Sequence, residues 1–140
     1  EDDRLLDALE EVGAGAITFS PLAQGMLTDR YVDGIPEGSR ATEGKSLDPN
    51  WVNPENAERL RGLAAIARER GQSLAQMAVA WTLRDPRVTT TLVGASSAAQ
   101  LRETAAAVQN LEFSDAELVA IDGFALEGGI DLWRQQSRFE

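Results

Sequence analysis

The residues best suited to chemistry lie in the run Thr91-Leu92-Val93-Gly94-Ala95-Ser96-Ser97-Ala98-Ala99-Gln100-Leu101-Arg102-Glu103. A short β-branched run ends at a glycine, two serines follow, and an amphipathic helix begins. The first N–H groups of a helix have no partner within it, and the helix dipole is positive at that end. Such a turn is a ready seat for a phosphate. An earlier stretch repeats the pattern: a strand Ala16-Ile17-Thr18-Phe19, then the polar turn Ser20-Pro21-Leu22-Ala23-Gln24-Gly25. Two such units imply one ligand held at one end of a parallel sheet. Ordinary βα turns share the same spacing, so the pattern alone leaves both readings open.

What is missing narrows the chemistry further. The chain has no histidine and no cysteine. Ser-His and Cys-His nucleophilic catalysis cannot be built from it, nor can histidine- or thiolate-ligated zinc. There is one tyrosine, Tyr31, and one lysine, Lys45. The many carboxylates are scattered over helix faces and suggest a solvated surface rather than an acid/base pair.

Several elements must position these turns. Asp2 or Asp3 can cap a first helix that carries Leu5, Leu6, Leu9 and Val12 on one face. Gly13 and Gly15 end it before the strand 16–19. This Gly-x-Gly precedes a strand instead of opening a helix, so it is not a dinucleotide fingerprint. Pro21 lacks an N–H and marks the end of that strand. Gly25 to Tyr31 suits a short helical turn. Residues 33–53 then form a long loop punctuated by Gly34, Pro36, Gly38, Gly44 and Pro49, the kind often used as a lid or binding loop. Arg40 and Lys45 in it are either solvated cations or an anion clamp.

Asn53-Pro54 starts a helix whose apolar face is Leu60, Leu63, Ala64 and Ala67, closed by Gly71. Ser73-Leu74-Ala75-Gln76 is a capping box opening a helix lined by Leu74, Met77, Ala78 and Trp81. Asp85-Pro86 ends it, and residues 88–93 form the second strand. The helix after the phosphate-type turn runs from Ser97 to Gln109 with Leu101, Ala105 and Val108 inward. Ser97 and Gln100 read as its capping box. Ser114-Asp115-Ala116-Glu117 is another, opening a helix with Leu118, Ile121 and Ala125 on its apolar face. The tail Glu127-Gly128-Gly129-Ile130-Asp131-Leu132-Trp133 is glycine-hinged and carries an isolated aromatic.

At 140 residues and 43% hydrophobic the chain suits one domain with a real core. A net charge of −10 argues against nucleic acid and against an anionic membrane surface as partners. No apolar run reaches the length of a membrane span and no leader opens the chain, so the cytoplasm is the default expectation. Five or so helices accompany only two convincing strands. Two strands joined by a long helical crossover do not form a stable sheet alone. The pattern reads as the end of a larger α/β unit, and phosphate sites in eight-stranded α/β barrels often use the loops after the last two strands. Such a barrel needs roughly 200 residues or more, so 140 would be part of one.

At these two loops the sequence resembles the aldo-keto reductases, and within them the bacterial glyceraldehyde-phosphate reductases and the potassium-channel β-subunit-like members. The residues that carry the resemblance are Phe19-Ser20-Pro21-Leu22-Ala23-Gln24-Gly25-Met26-Leu27-Thr28, Gly34-Ile35-Pro36 to Ser39-Arg40, and Leu92-Val93-Gly94-Ala95-Ser96 to Gln100-Leu101-Arg102-Glu103. The run Arg70 to Trp81 resembles the family's penultimate helix, and 128–133 its reductase ending. The resemblance implies an α/β fold, the C-terminal portion of a (β/α)8 TIM barrel holding strands seven and eight, in one domain over 1–140.

It also implies NADP(H) as cofactor and a small carbonyl compound, of glyceraldehyde type, as substrate. Phe19 would stack on the nicotinamide. Ser20, Pro21, Leu22 and Gln24 would line the pyrophosphate and ribose. Arg30 stands where relatives often have lysine, and Arg40 would reach the adenosine phosphate end. Gly94, Ser96, Gln100 and Glu103 would hold the adenosine and its 2′-phosphate, with Thr104 where relatives usually have asparagine. Each also has a plainer role: Gln100 as a cap, Glu103 as a first-turn carboxylate, Phe19 as barrel core. The family's catalytic aspartate, tyrosine, lysine and histidine come from earlier strands and are absent, and Tyr31 and Lys45 match none of those positions. The chain alone is therefore expected to be inactive. The upstream strands would come from the same protein or from a partner chain. Alternatives are a nucleotide-sensing subunit like the channel β-subunits, or a half-barrel completed by another chain. Homo-oligomerisation is left open.

Overall fold

A computed structural model of the chain describes residues 4–37, residue 42 and residues 47–126. The expected caps Asp2 and Asp3, the cations Arg40 and Lys45, and the tail 127–140 lie outside these residues.

Helix α1 spans Arg4–Glu11. Leu6 and Leu9 are half-buried, whereas Leu5 and Val12, expected on the same apolar face, are exposed. Gly13 turns the chain at φ +67°, a left-handed conformation that glycine adopts without a Cβ clash. Its N–H reaches Glu10 O, and the Ala14 N–H reaches Leu9 O, so the carbonyls at the helix end are satisfied.

Strand β1, Ala16–Phe19, pairs in parallel with β2, Val88–Leu92. The register is Ala16↔Val88, Ile17↔Thr90, Thr18↔Thr91 and Phe19↔Leu92, with an irregularity at Ala16/Ile17 that leaves Thr89 as the extra residue. Successive side chains alternate faces. Thr18 and Thr91 lie on the covered side, and their hydroxyl oxygens are buried without a partner among the described residues. Ile17, Phe19 and Leu92 lie on the other side, 70, 56 and 68% exposed.

Between the strands run α2, Pro54–Glu69, and α3, Leu74–Thr82. The start of α2 follows the expected chemistry. Asn53 Oδ1 accepts from the Asn56 N–H, and Pro54 occupies a first-turn position. Leu60, Leu63, Ala64 and Ala67 are all buried, as their spacing predicts. The Ser73–Gln76 capping box of α3 is complete. Met77 is buried, whereas Trp81 is half-buried under the Arg84 guanidinium, 3.6 Å above its ring. The described end of the long loop is anchored. Leu47 is fully buried, and Asp48 caps a 3₁₀ turn at Pro49–Trp51.

Helix α4, Ala98–Ala105, continues as 3₁₀ turns through Gln109, and α5 spans Asp115–Phe124 behind a complete Ser114–Glu117 capping box. The expected inward face of α4 is corrected. Leu101, Ala105 and Val108 are exposed, and Thr104 and Ala107 are buried in their place. Here α4 packs on α3, and the side that meets α3 is one residue, about 100°, behind the apolar stripe. In α5, Ile121 is buried and Leu118 half-buried, while Ala125 falls past the helix end and is exposed.

The core joins α2, α3 and α5 with Met26, Tyr31 and Leu47 from the connecting segments. No strand residue belongs to it. Among the described residues two layers result: a helical body with its own core, and a two-stranded sheet with one largely exposed face.

Candidate functional site

Parallel pairing fixes where the two polar turns go. Phe19 and Leu92 are register partners at the carboxyl ends of their strands, so the segments after both leave the sheet at the same end.

The first segment is conformationally unusual. Ser20, Ala23 and Gln24 all have positive φ, at 55, 45 and 61°, and Gly25 follows at 99°. Side chains with a Cβ are disfavoured there, by roughly 1–3 kcal/mol each, and such residues cluster at ligand sites. The surrounding loop holds them in place. The Ala23 N–H donates to Ser20 O at 3.0 Å and the Gly25 N–H to Leu22 O at 2.8 Å. The Leu27 N–H reaches Leu22 O, and Thr28 Oγ1 donates to Gly25 O at 2.7 Å. Met26 and Tyr31, 4 and 2% exposed, anchor its far end in the core. Ser20, Pro21, Leu22 and Gln24 stay half-buried at the sheet's edge, and Arg30 is exposed in the 3₁₀ turn Asp29–Tyr31. The lone tyrosine is thus a packing residue.

The second segment, Gly94 to Ala99, is exposed. Gln100 Oε1 accepts from both the Ser96 N–H, at 2.8 Å, and Ser96 Oγ, at 2.9 Å. Ser97 Oγ accepts from the Gln100 N–H at 3.2 Å. The expected Ser97–Gln100 capping box is therefore only half formed. The Gln100 side chain passes over Ser97 and gives its oxygen to Ser96. It occupies the acceptor position that an anion at this turn would take. Glu103 is exposed, one turn further on, and its carbonyl accepts from Gln76 Nε2. Thr104 is buried, so its hydroxyl does not face the same surface as Ser96 and Glu103.

The structure thus brings Phe19, Ser20, Pro21, Leu22, Gln24, Gly94, Ser96, Gln100 and Glu103 to one end of the sheet. Two features of this end were not legible beforehand: the left-handed Ala23 and the Gln100–Ser96 bonds. The strongest electrostatic perturbations lie elsewhere. Before β2, at the opposite end of the sheet, the Asp85 carboxyl is held at about 2 by the Arg87 guanidinium and N–H. Arg87 also pairs with Asp7 of α1. Among the described residues no group of three histidine, cysteine or carboxylate side chains could hold a metal ion. No described helix is long and apolar enough to cross a membrane.

Residues 1–125 match the model of the aldo/keto reductase family. The chain is 49 and 47% identical, over 137 residues, to proteins named L-glyceraldehyde 3-phosphate reductase from two Escherichia coli strains. Each alignment covers 95% of this chain and 40% of the relative. It is 40% identical over 119 residues to a putative voltage-gated potassium channel subunit beta of Schizosaccharomyces pombe, covering 82% of this chain and 35% of that protein. The chain therefore spans less than half the length of these relatives, and it belongs to the aldo/keto reductase family.

Proposed function

We propose that this chain is the nucleotide-holding, C-terminal part of a barrel protein that reduces an aldehyde or ketone with NADPH. The observation that carries the reading is the parallel register. It sets the left-handed Ser20–Gly25 loop and the Ser96 turn side by side at the strands' carboxyl ends, where ligands of such folds bind. NADPH, when bound, supplies the hydride. Phe19, at the end of β1 on the open sheet face, offers a flat apolar surface for a planar ring. Pro21, Leu22 and Gln24, with Ser20, flank the phosphates, and Arg30 and Arg40 supply positive charge against the acidic balance of the chain. Ser96 offers an N–H and a hydroxyl to a 2′-phosphate once Gln100 Oε1 gives them up. Gln100 and Glu103 then bracket the adenosine, and Thr104 serves packing.

Glyceraldehyde-type compounds are the first substrates to try, given the relatives' names. In the full-length protein, Ser96→Ala should weaken NADPH binding by roughly tenfold or more, the value of one charge-assisted hydrogen bond, and leave NADH nearly unchanged. Titrations of both nucleotides check this, and equal losses would show that Ser96 does not read the 2′-phosphate. A second reading, favoured by the similarity to a channel subunit, is nucleotide sensing. Steady NADPH consumption with an aldehyde supports the reductase. Tight binding without turnover supports the sensor.

A further inference from the structure

A cavity of about 320 Å³ lies between the Ser20–Leu27 loop and helices α2, α3 and α5. Its walls are almost wholly apolar: Ala23 and Leu27 from the loop, Leu63 from α2, Met77 and Ala78 from α3, Ile121 from α5. Protein interiors are close-packed, and a space of this size is that of a binding pocket, not of a packing void. Phe124, Ala125 and Leu126 complete the wall, and Leu126 is 58% exposed beside it.

The chain continues from that wall as Glu127-Gly128-Gly129-Ile130-Asp131-Leu132-Trp133. Two glycines permit a reversal, and three of the next four residues are large and apolar. Ile130 and Leu132 alternate with Asp131, so an extended segment presents both to one side. The four residues from Leu126 to Ile130 span at most about 14 Å, and since Leu126 itself lines the cavity, reach is not limiting. Charge agrees too. Arg59 also lines the cavity and gives it a positive charge, with Glu55 Oε1 and Asn56 Oδ1 among its acceptors. The tail brings Glu127 and Asp131. A tethered segment needs no partner molecule and has a high effective concentration at its own pocket.

We propose that this cavity is the seat of the chain's own C-terminal segment, with Ile130, Leu132 or Trp133 inserted. Because Ala23 and Leu27 form one wall, the docked segment braces the left-handed loop from behind. Resting on the proposed nucleotide-holding role, the docked tail then supports that end of the sheet.

The chain itself has no cysteine, so once any cysteines upstream of it are replaced by serine, every thiol in the test is an introduced one. In the full-length protein, Ala78→Cys is paired in turn with Ile130→Cys, Leu132→Cys and Trp133→Cys, and the same tail variants with Ala116→Cys as an exposed control on α5. A mild oxidant should close an intramolecular disulfide to residue 78 for at least one tail position and none to residue 116. Separately, a naphthalene-type fluorescent dye is titrated into the wild-type protein and a variant ending at Leu126. A tail docked about nine times in ten makes dye binding roughly tenfold weaker in the wild type. Disulfides that ignore the difference between 78 and 116 overturn the proposal. So does equal dye binding by the two proteins, which would mark an open small-molecule pocket. Cross-links between molecules instead of within one would assign the pocket to a second copy's tail, and overturn it as well.

Discussion

Arg70 ties the end of α2 to the segment before α5. Its side chain is 3% exposed, and each of its donor nitrogens has an acceptor. Nε donates to Gln72 Oε1, Nη1 to Glu117 Oε1 at 2.7 Å, and Nη2 to Glu112 O at 2.9 Å. The guanidinium also lies 3.7 Å over the Phe113 ring. A planar fork suits this set of acceptors as lysine would not. Glu117 accepts from the Ser114 N–H and hydroxyl as well, so one carboxylate closes a capping box and an ion pair at once. Those bonds, Ser114 first and Arg70 after it, hold its carboxyl at about 2 against an ordinary 4.5. The folded state thus binds this proton more weakly than the unfolded state does. The stability it contributes is complete above about pH 4.5 and is lost as pH falls from there through about 2. Glu117→Gln keeps a side chain able to cap but removes the titration. Denaturation midpoints measured from pH 5 to pH 2 should fall less steeply for the variant. Parallel curves would show that Glu117 does not carry the dependence.

At the level of elements, α2 and α5 meet through the absence of a side chain. A Cβ built on Gly62 would lie 2.4 Å from the Phe124 ring, so α5 packs its last aromatic directly onto the backbone of α2. Glycine costs an exposed helix interior about 0.5–1 kcal/mol relative to alanine, so Gly62→Ala would stabilise an isolated α2. Here it should destabilise the protein by about 1–3 kcal/mol through overpacking. Adding Phe124→Leu should recover part of that loss, and a double-mutant cycle by thermal or urea unfolding measures it. Additive effects would mean that the two residues do not compete for space. The pair also shows what a sequence can and cannot disclose. Both strands, the Asn53-Pro54 start and the boxes at Ser73 and Ser114 were legible, because each depends on residues within four positions of one another. Gly62 has its reason 62 residues away, at Phe124, beyond the reach of any local pattern. Arg70 was hidden likewise, since its acceptors sit around positions 110–117. The stripe Leu101–Ala105–Val108 misled because apolar periodicity reports a helix's preference for cover, and no described element covers that side. At the site, the turns and their common end were legible from two strand–turn–helix units. Which side chains bond one another was not: Ser96 and Ser97 offer Gln100 nearly equivalent partners, and only packing decides.

For the molecule as a whole, the open sheet face governs what the chain can do alone. Parallel sheets occur almost only with both faces covered, yet Ile17, Phe19 and Leu92 stand exposed, and among the described residues each strand has one unpaired edge. Under the proposed function, further strands cover this face and also bring the proton donor. Hydride transfer to a carbonyl leaves an alkoxide, which a general acid within hydrogen-bond reach must protonate. The chain has no histidine, its tyrosine is 2% exposed in the helical core, and its described carboxylates include no metal-type cluster. Among the described residues, no hydroxyl at the carboxyl ends of β1 and β2 can take the acid's place. Ser20 and Ser96 are ordinary hydroxyls, and Ser96 is already bonded to Gln100. Loss of acid catalysis alone costs roughly 10²–10⁴ in rate. A sheet face on which Phe19 is 56% exposed would leave a nicotinamide ring open to water besides. We therefore expect the 140-residue chain to bind NADPH weakly at most and to reduce no aldehyde at a useful rate. Activity should appear when it is joined to upstream strands in one protein or reconstituted with them as a second chain. The assay is NADPH oxidation with glyceraldehyde-type and aromatic aldehydes, run on the purified 140-residue chain and on the longer protein side by side. Comparable turnover by the two would sink this expectation, and would place a proton donor within the 140 residues, with the scattered carboxylates the first to be tested.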